Sequence, residues 1–178
     1  MSEKNLEKLL KPKLSDSLKD YNIEVSANLI YRVIINQKGE YFPADPKKAK
    51  RGSLAFQTDI LIKKNNLPLV VIELKDKRLS THDIITYSYK AQKHKEIYPY
   101  LRYGLVLGGW DIISNKFFNH NSDFDFVVAL GKLNNPDSIK ELIRIVKGQL
   151  KDAESLLKVL EEKNKTRIFN NKLEIIDI

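Results

Sequence analysis

Asp59, Glu73 and Lys75 are the residues whose types and spacing best suit chemistry in this sequence. Hydrolysing a phosphodiester calls for a cation to neutralise the non-bridging oxygens, an activated water opposite the leaving group, and a positive group near that water or the phosphate. Mg²⁺ prefers oxygen ligands and commonly takes one or two protein carboxylates, keeping its other positions for water and substrate phosphate. Asp59 and Glu73 suit that role, with Lys75 as the positive group and Mn²⁺ as the expected substitute ion.

The elements around these residues must bring them together. Phe56 to Lys63 alternates and is β-rich, Asn65 and Asn66 are turn formers, and Leu67 to Leu74 is a nearly continuous apolar run, so a β-hairpin entering a buried sheet is predicted. Residues two apart on a strand share a face, which sets Lys75 beside Glu73 while Leu74 points into the opposite layer. A two-residue turn at Asn65-Asn66 would place Asp59 opposite Ile72, on the wrong face. A three-residue loop or one bulge restores Asp59 opposite Glu73, because a slip of one residue flips every side chain. Such an irregularity is therefore expected.

An acid, any residue, then lysine occurs three times: Asp45-Pro46-Lys47, Glu73-Leu74-Lys75 and Glu161-Glu162-Lys163. The tripeptide alone means little. The middle copy differs in ending an apolar strand preceded, with thirteen residues between, by an acid on a neighbouring strand. Charges at the end of such a strand are costly to desolvate, which argues for a pocket over a solvated face.

Elsewhere, Leu6, Leu9, Leu10, Leu14 and Leu18 follow helical spacing, with a break or kink at Pro12. Leu29 to Ile35 reads as a strand, although Ser26 could equally cap a helix from Ala27. Gly39 to Ser53 reads as an exposed loop carrying Lys47, Lys48, Lys50 and Arg51, either a solubilising cluster or phosphate contacts ahead of the strand bearing Asp59. Ser80 to Tyr98 is a predicted helix, with Ser80 and Asp83 spaced as a variant capping box. Arg102 to Leu107 and Phe124 to Leu130 read as central strands, giving a sheet of four or five members. Asp137 to Lys163 carries a heptad row from Ile139 to Leu160, widened by Leu142, Ile145, Leu156 and Val159; packing on the domain's own sheet is favoured over a dimer seam. One domain is expected, with a core over about 1–132 and a helical extension over about 136–178.

Lys plus Arg number 31 and Asp plus Glu 23, for a formal charge of +8, which favours polyanionic partners. The longest apolar stretch, Leu67 to Ile72, is far below the roughly 18 residues of a membrane span, and Met-Ser-Glu-Lys-Asn lacks a signal peptide's apolar core. With no cysteine, thiolate metal sites and thiol nucleophiles are excluded, and a cytoplasmic location is expected. His82, His94 and His120 are too scattered for a metal site and are expected at the surface, with Trp110 as core or rim packing.

Asp59-Ile-Leu-Ile followed by Asn66-Leu-Pro-Leu-Val-Val-Ile-Glu-Leu-Lys75 resembles the N-terminal nuclease domain of type I restriction enzyme R subunits, within the PD-(D/E)XK superfamily. The likeness is close for about twenty residues and loose over perhaps two thirds of the chain. It implies an α/β, restriction-endonuclease-like fold: a mixed central sheet with an αβββαβ core flanked by helices, here with a long C-terminal helix. It also implies a Mg²⁺-dependent nuclease on duplex DNA, with Asp59, Glu73 and the Leu74 carbonyl as metal ligands and Lys75 polarising the nucleophilic water. Thr58 stands where the family name has proline. The Gln and Tyr four apart that type I relatives carry on the next helix are missing from Ile85 to Gln92, where Tyr87, Tyr89 or Gln92 would substitute. Glu7 or Glu3 would be the first-helix acid common in the superfamily. No Gly-rich Lys-Ser/Thr phosphate loop is present, so no ATP-driven motor is expected.

The resulting expectation is a restriction-type endonuclease, homodimeric because two sites about a two-fold axis cut two strands most simply, with restriction-modification partner subunits as a further option. A junction-resolvase-like nuclease shares the same site. A basic, non-catalytic nucleic-acid-binding module would keep the fold and use the acids structurally, Asp59 as a turn cap and Glu73 with Lys75 as an exposed pair worth less than about 1 kcal/mol.

Overall fold

The apolar run expected to be a buried strand forms the middle of the sheet in the computed structural model, which describes residues 3–45, 50–131, 135–162 and 166–176. Helix α1 (Glu3–Ser17) leads into β1 (Asn22–Ile30), a small hairpin of β2 (Ile34–Ile35) and β3 (Tyr41–Phe42), and then β4 (Lys50–Arg51), β5 (Leu54–Lys64) and β6 (Leu67–Asp76). Helix α2 (Thr81–Ile97), β7 (Arg102–Gly108), α3 (Asn115–His120), β8 (Phe126–Ala129) and α4 (Pro136–Glu161) complete the order. The main sheet runs β1-β5-β6-β7-β8, with β4 pairing beside β5. β1, β5 and β6 are antiparallel neighbours, whereas β7 and β8 join in parallel after the crossover through α2. The fold is thus mixed α/β, with a mixed sheet flanked by helices and a long C-terminal helix.

Alternation along the central strands splits the core in two. Ile60, Ile62, Val70, Ile72, Leu74 and Val106 face α1 and α4, where Leu6, Leu10, Leu14, Leu142, Val146 and Leu150 are buried. Leu61, Val71, Tyr103, Leu105 and Leu107 face the opposite side, against Ile84 and Ala91 of α2 and Phe117 of α3. The heptad row of α4 packs on its own sheet as far as Leu157, whereas Leu160 and, in the second row, Val159 are exposed. Pro12 sits inside α1, where the chain stays helical. The capping box forms as spaced: the Ser80 hydroxyl accepts from Asp83 N, and Asp83 accepts from Ser80 N.

Several expectations are corrected. Leu29 to Ile35 is not one strand: β1 begins at Asn22 and ends at Ile30, and Ile34-Ile35 belongs to the separate β2-β3 hairpin with both side chains exposed. The expected loop from Gly39 to Ser53 contains β3 and β4. Ser26 caps no helix; it lies within β1 with φ of 51°. His94 is fully buried rather than at the surface, because it sits on the inner face of α2 and its Nε2 lies 3.2 Å from the Leu29 carbonyl. The short helix α3 has no counterpart in the sequence reading. No helix among the described residues is long and apolar enough to cross a membrane.

Candidate active site

The irregularity needed to align the acids is present in β6. The turn is the tight one at Asn65-Asn66, with Lys64 opposite Leu67 and Lys63 opposite Pro68. Leu69 is then the extra residue, since Ile62 pairs with Val70 and Ile60 with Ile72. Continued by one step, this register sets Asp59 against Glu73. Leu69 can be spent as the bulge because its side chain is buried, with 1% exposure, in the α1–α4 layer.

Asp59 lies just past the last β5–β6 pair, where its Oδ2 accepts the backbone N–H of Leu74 at 2.7 Å. An extended residue sends its N–H and C=O to the same edge, so the Leu74 carbonyl also faces the Asp59 side. Glu73 is 1% exposed. Its Oε1 accepts the Tyr103 hydroxyl at 2.6 Å and lies 3.7 Å from Lys90 Nζ. Burial pushes the Glu73 carboxyl up to about 7; the Lys90 ammonium opposes that shift, the Asp59 charge adds to it, and the Tyr103 hydrogen bond opposes it. The two carboxyls are within hydrogen-bonding reach of each other.

Lys75 shares the Glu73 face, as the strand period requires, but is held elsewhere. Its Nζ lies 3.2 Å from both Glu3 Oε1 and Asp83 Oδ1 and 5.2 Å from the Tyr87 ring centroid. Burial alone would lower its pKa, but Tyr87, Asp83 and Glu3 together raise it, so Lys75 keeps its proton at neutral pH. Glu3 is thus the first-helix acid that reaches this region, and it does so as a partner of Lys75. Thr58 is buried and donates to the Ala27 carbonyl at 3.1 Å.

An open cleft of about 430 Å³ runs over the acids, lined by Tyr31, Gly52, Ala55, Phe56, Gln57, Asp59, Glu73, Tyr87 and Lys90. Of the residues singled out from sequence, Asp59, Glu73 and Tyr87 meet there. Lys75 sits beside the cleft rather than in its lining, and Gln92 is exposed away from it. Lys50 is exposed on β4, whose backbone also includes Arg51, while Lys47 and Lys48 lie outside the described residues. Tyr103 and Lys90 were missed. Both had a signal: a tyrosine in an aliphatic central strand needs a polar partner for its hydroxyl, and Lys90 lies three residues after Tyr87, on the same helical face.

Two carboxylates beside a backbone carbonyl are oxygen ligands of the kind a hard divalent cation takes, and the raised pKa of buried Glu73 shows that Lys90 offsets only part of the effect of burial and of Asp59. The residues fit such an ion. Among the described residues no third carboxylate or histidine joins them. No protein-family model matches this sequence, and no curated protein matches it either.

Proposed function

We propose that this protein is a Mg²⁺-dependent endonuclease of the PD-(D/E)XK class, cleaving duplex DNA in the cytoplasm as a restriction-type homodimer without an ATP-driven motor. The observation that carries this reading is the convergence of Asp59 and Glu73, through the Leu69 bulge, in the lining of an open cleft that also includes Lys90.

Asp59, Glu73 and the Leu74 carbonyl would hold the ion, which would neutralise phosphate charge and acidify water at the site. The Leu74 N–H fixes Asp59, and the Tyr103 hydroxyl fixes Glu73, so neither carboxyl needs to reorganise when substrate arrives. Protonated Lys75 serves as a positive group and not as a general base. Lys90 projects into the cleft, where it can meet a phosphate oxygen.

The test is incubation of purified protein with supercoiled, linear and branched DNA in Mg²⁺, Mn²⁺ and EDTA, beside Asp59→Ala and Lys75→Ala. Cutting that needs the metal and both side chains is expected; equal cutting by the variants would place the chemistry at another centre. Preference for branched DNA would favour the resolvase-like alternative. A second reading, a binding module without catalysis, draws on the two ion pairs that hold Lys75. It requires DNA binding that survives Asp59→Ala with no cleavage by either protein.

A further inference from the structure

We propose that the cleft accepts one unpaired base against an aromatic stack of Tyr31 and Phe56, so that the preferred DNA substrate carries an unpaired nucleotide at the scissile phosphate; this rests on the nuclease reading above. The stack is well formed, with ring centroids 3.9 Å apart and planes 13° from parallel. Both rings line the same cleft as Asp59 and Glu73. On a regular strand, Phe56 and Asp59, three residues apart, would point to opposite faces. They share the cleft because the hairpin is distorted where Ser26 of β1, with φ of 51°, passes Asp59. Before Ser26 the pair Val25–Ile60 faces α1 and α4, and after it the pair Leu29–Phe56 faces α2.

Phe56 also meets Lys90, 5.9 Å from its ring centroid, and lies nearly perpendicular to the His94 ring. Tyr31 is half-buried, and among the described residues no second ring and no cation covers its other face. Tyr31 lines the cleft, and a base stacked on it from that side would extend the stack, a contact worth about 1–3 kcal/mol and tolerant of sequence. The volume, about 430 Å³, is at the low end of pockets for small ligands, about 300–1,000 Å³, and has room for a single nucleotide. A base already unpaired avoids the unstacking cost that a paired one incurs.

Binding measured in Ca²⁺ by fluorescence anisotropy tests this without cleavage, comparing a duplex bearing a one-base bulge with the fully paired duplex. The unaltered protein should bind the bulged DNA at least about fivefold more tightly; equal or weaker binding overturns the proposal. Tyr31→Leu should lose about 5- to 100-fold in affinity for bulged DNA and leave paired DNA unchanged, while Tyr31→Phe keeps the preference. Equal losses on both DNAs, or no loss, would also overturn it. If the preference and its Tyr31 dependence hold but nothing is cut in Mg²⁺, the nuclease reading fails alone. Cutting of paired DNA with no bulge preference removes the base subsite alone.

Discussion

Lys90 holds its ammonium 3.7 Å from Glu73, a carboxylate with 1% exposure. The lysine is the charge that opposes the effect of burial on that acid. Replacing it with methionine keeps most of the stem packed over Phe56 and Tyr87 but leaves the carboxylate facing Asp59 without compensation. Lys90→Met should destabilise the metal-free protein by about 1–2 kcal/mol at pH 8, a value reduced from that of a fully buried pair because Lys90 is partly exposed. At pH 5, where Glu73 is protonated, the loss should shrink toward zero. Urea unfolding at the two pH values decides the matter, and an unchanged loss would mean that the stem, not the charge, carries the effect.

Glu73 itself should behave as a site that costs stability. Its folded pKa, about 7, lies above the ordinary value of 4.5, so the folded state binds the extra proton. Its contribution is fully present below about 4.5 and is lost as pH rises through 7. Glu73→Gln should therefore stabilise the metal-free protein at pH 8 by about 1–3 kcal/mol while abolishing Mg²⁺-dependent cleavage. The amide can still accept the Tyr103 hydroxyl. Thermal melts with and without Mg²⁺ give a second handle: the ion should raise the melting point of the unaltered protein at pH 8 and not that of the variant. A variant less stable than the parent at pH 8 would show that Glu73 is already fully compensated.

The paired acids were legible because strand parity is a hard constraint. Asp59 could join Glu73 only through a bulge or a longer loop, and the bulge at Leu69 is what occurs. The extent of β1 was not legible, since Asn22, Glu24 and Asn28 are poor strand formers placed there by pairing with β5. Nor was the placement of Lys75. Residue spacing puts its side chain on the Glu73 face, but Asp83 and Glu3 reach it from α2 and α1, contacts that depend on how two helices dock. The burial of His94 was equally hidden, because α2 has no clear apolar stripe: Ser88 and His94 are buried while Ile85 and Tyr89 are exposed.

Buried His94 gives the opposite pH signature to Glu73. Burial lowers its pKa from 6.5 to about 4, opposed by the bond to the Leu29 carbonyl and aided by Lys90. The neutral ring is favoured in the fold, so this contribution is present above pH 6.5 and lost as pH falls through 4. The full shift corresponds to about 3 kcal/mol. The two groups act over overlapping ranges with opposing slopes, so the unaltered protein should show a flat profile between pH 4.5 and 6.5. His94→Gln should remove the acid-side loss and leave a profile that falls with rising pH. Chemical denaturation across pH 4 to 8 reads both slopes, and identical profiles for parent and variant would rule out titration of this ring.

Gly104 tests the packing beneath the site. It pairs with Phe126 on β8, and a Cβ placed on it would meet the Phe126 ring at 2.0 Å. Real Cβ contacts are never that short, so the ring lies directly over the glycine, the close approach that justifies a glycine inside a central strand. Gly104→Ala must push Phe126 out of the layer it shares with Ile72 and Val128. A loss of about 1–3 kcal/mol is expected from overpacking. Phe126→Leu removes most of the clash and should cost about 1 kcal/mol alone. The double variant should then be more stable than the sum of the two losses allows, since the residues share one space. Additive losses in denaturant melts would mean that the ring turns aside freely and that Gly104 is needed for its backbone alone.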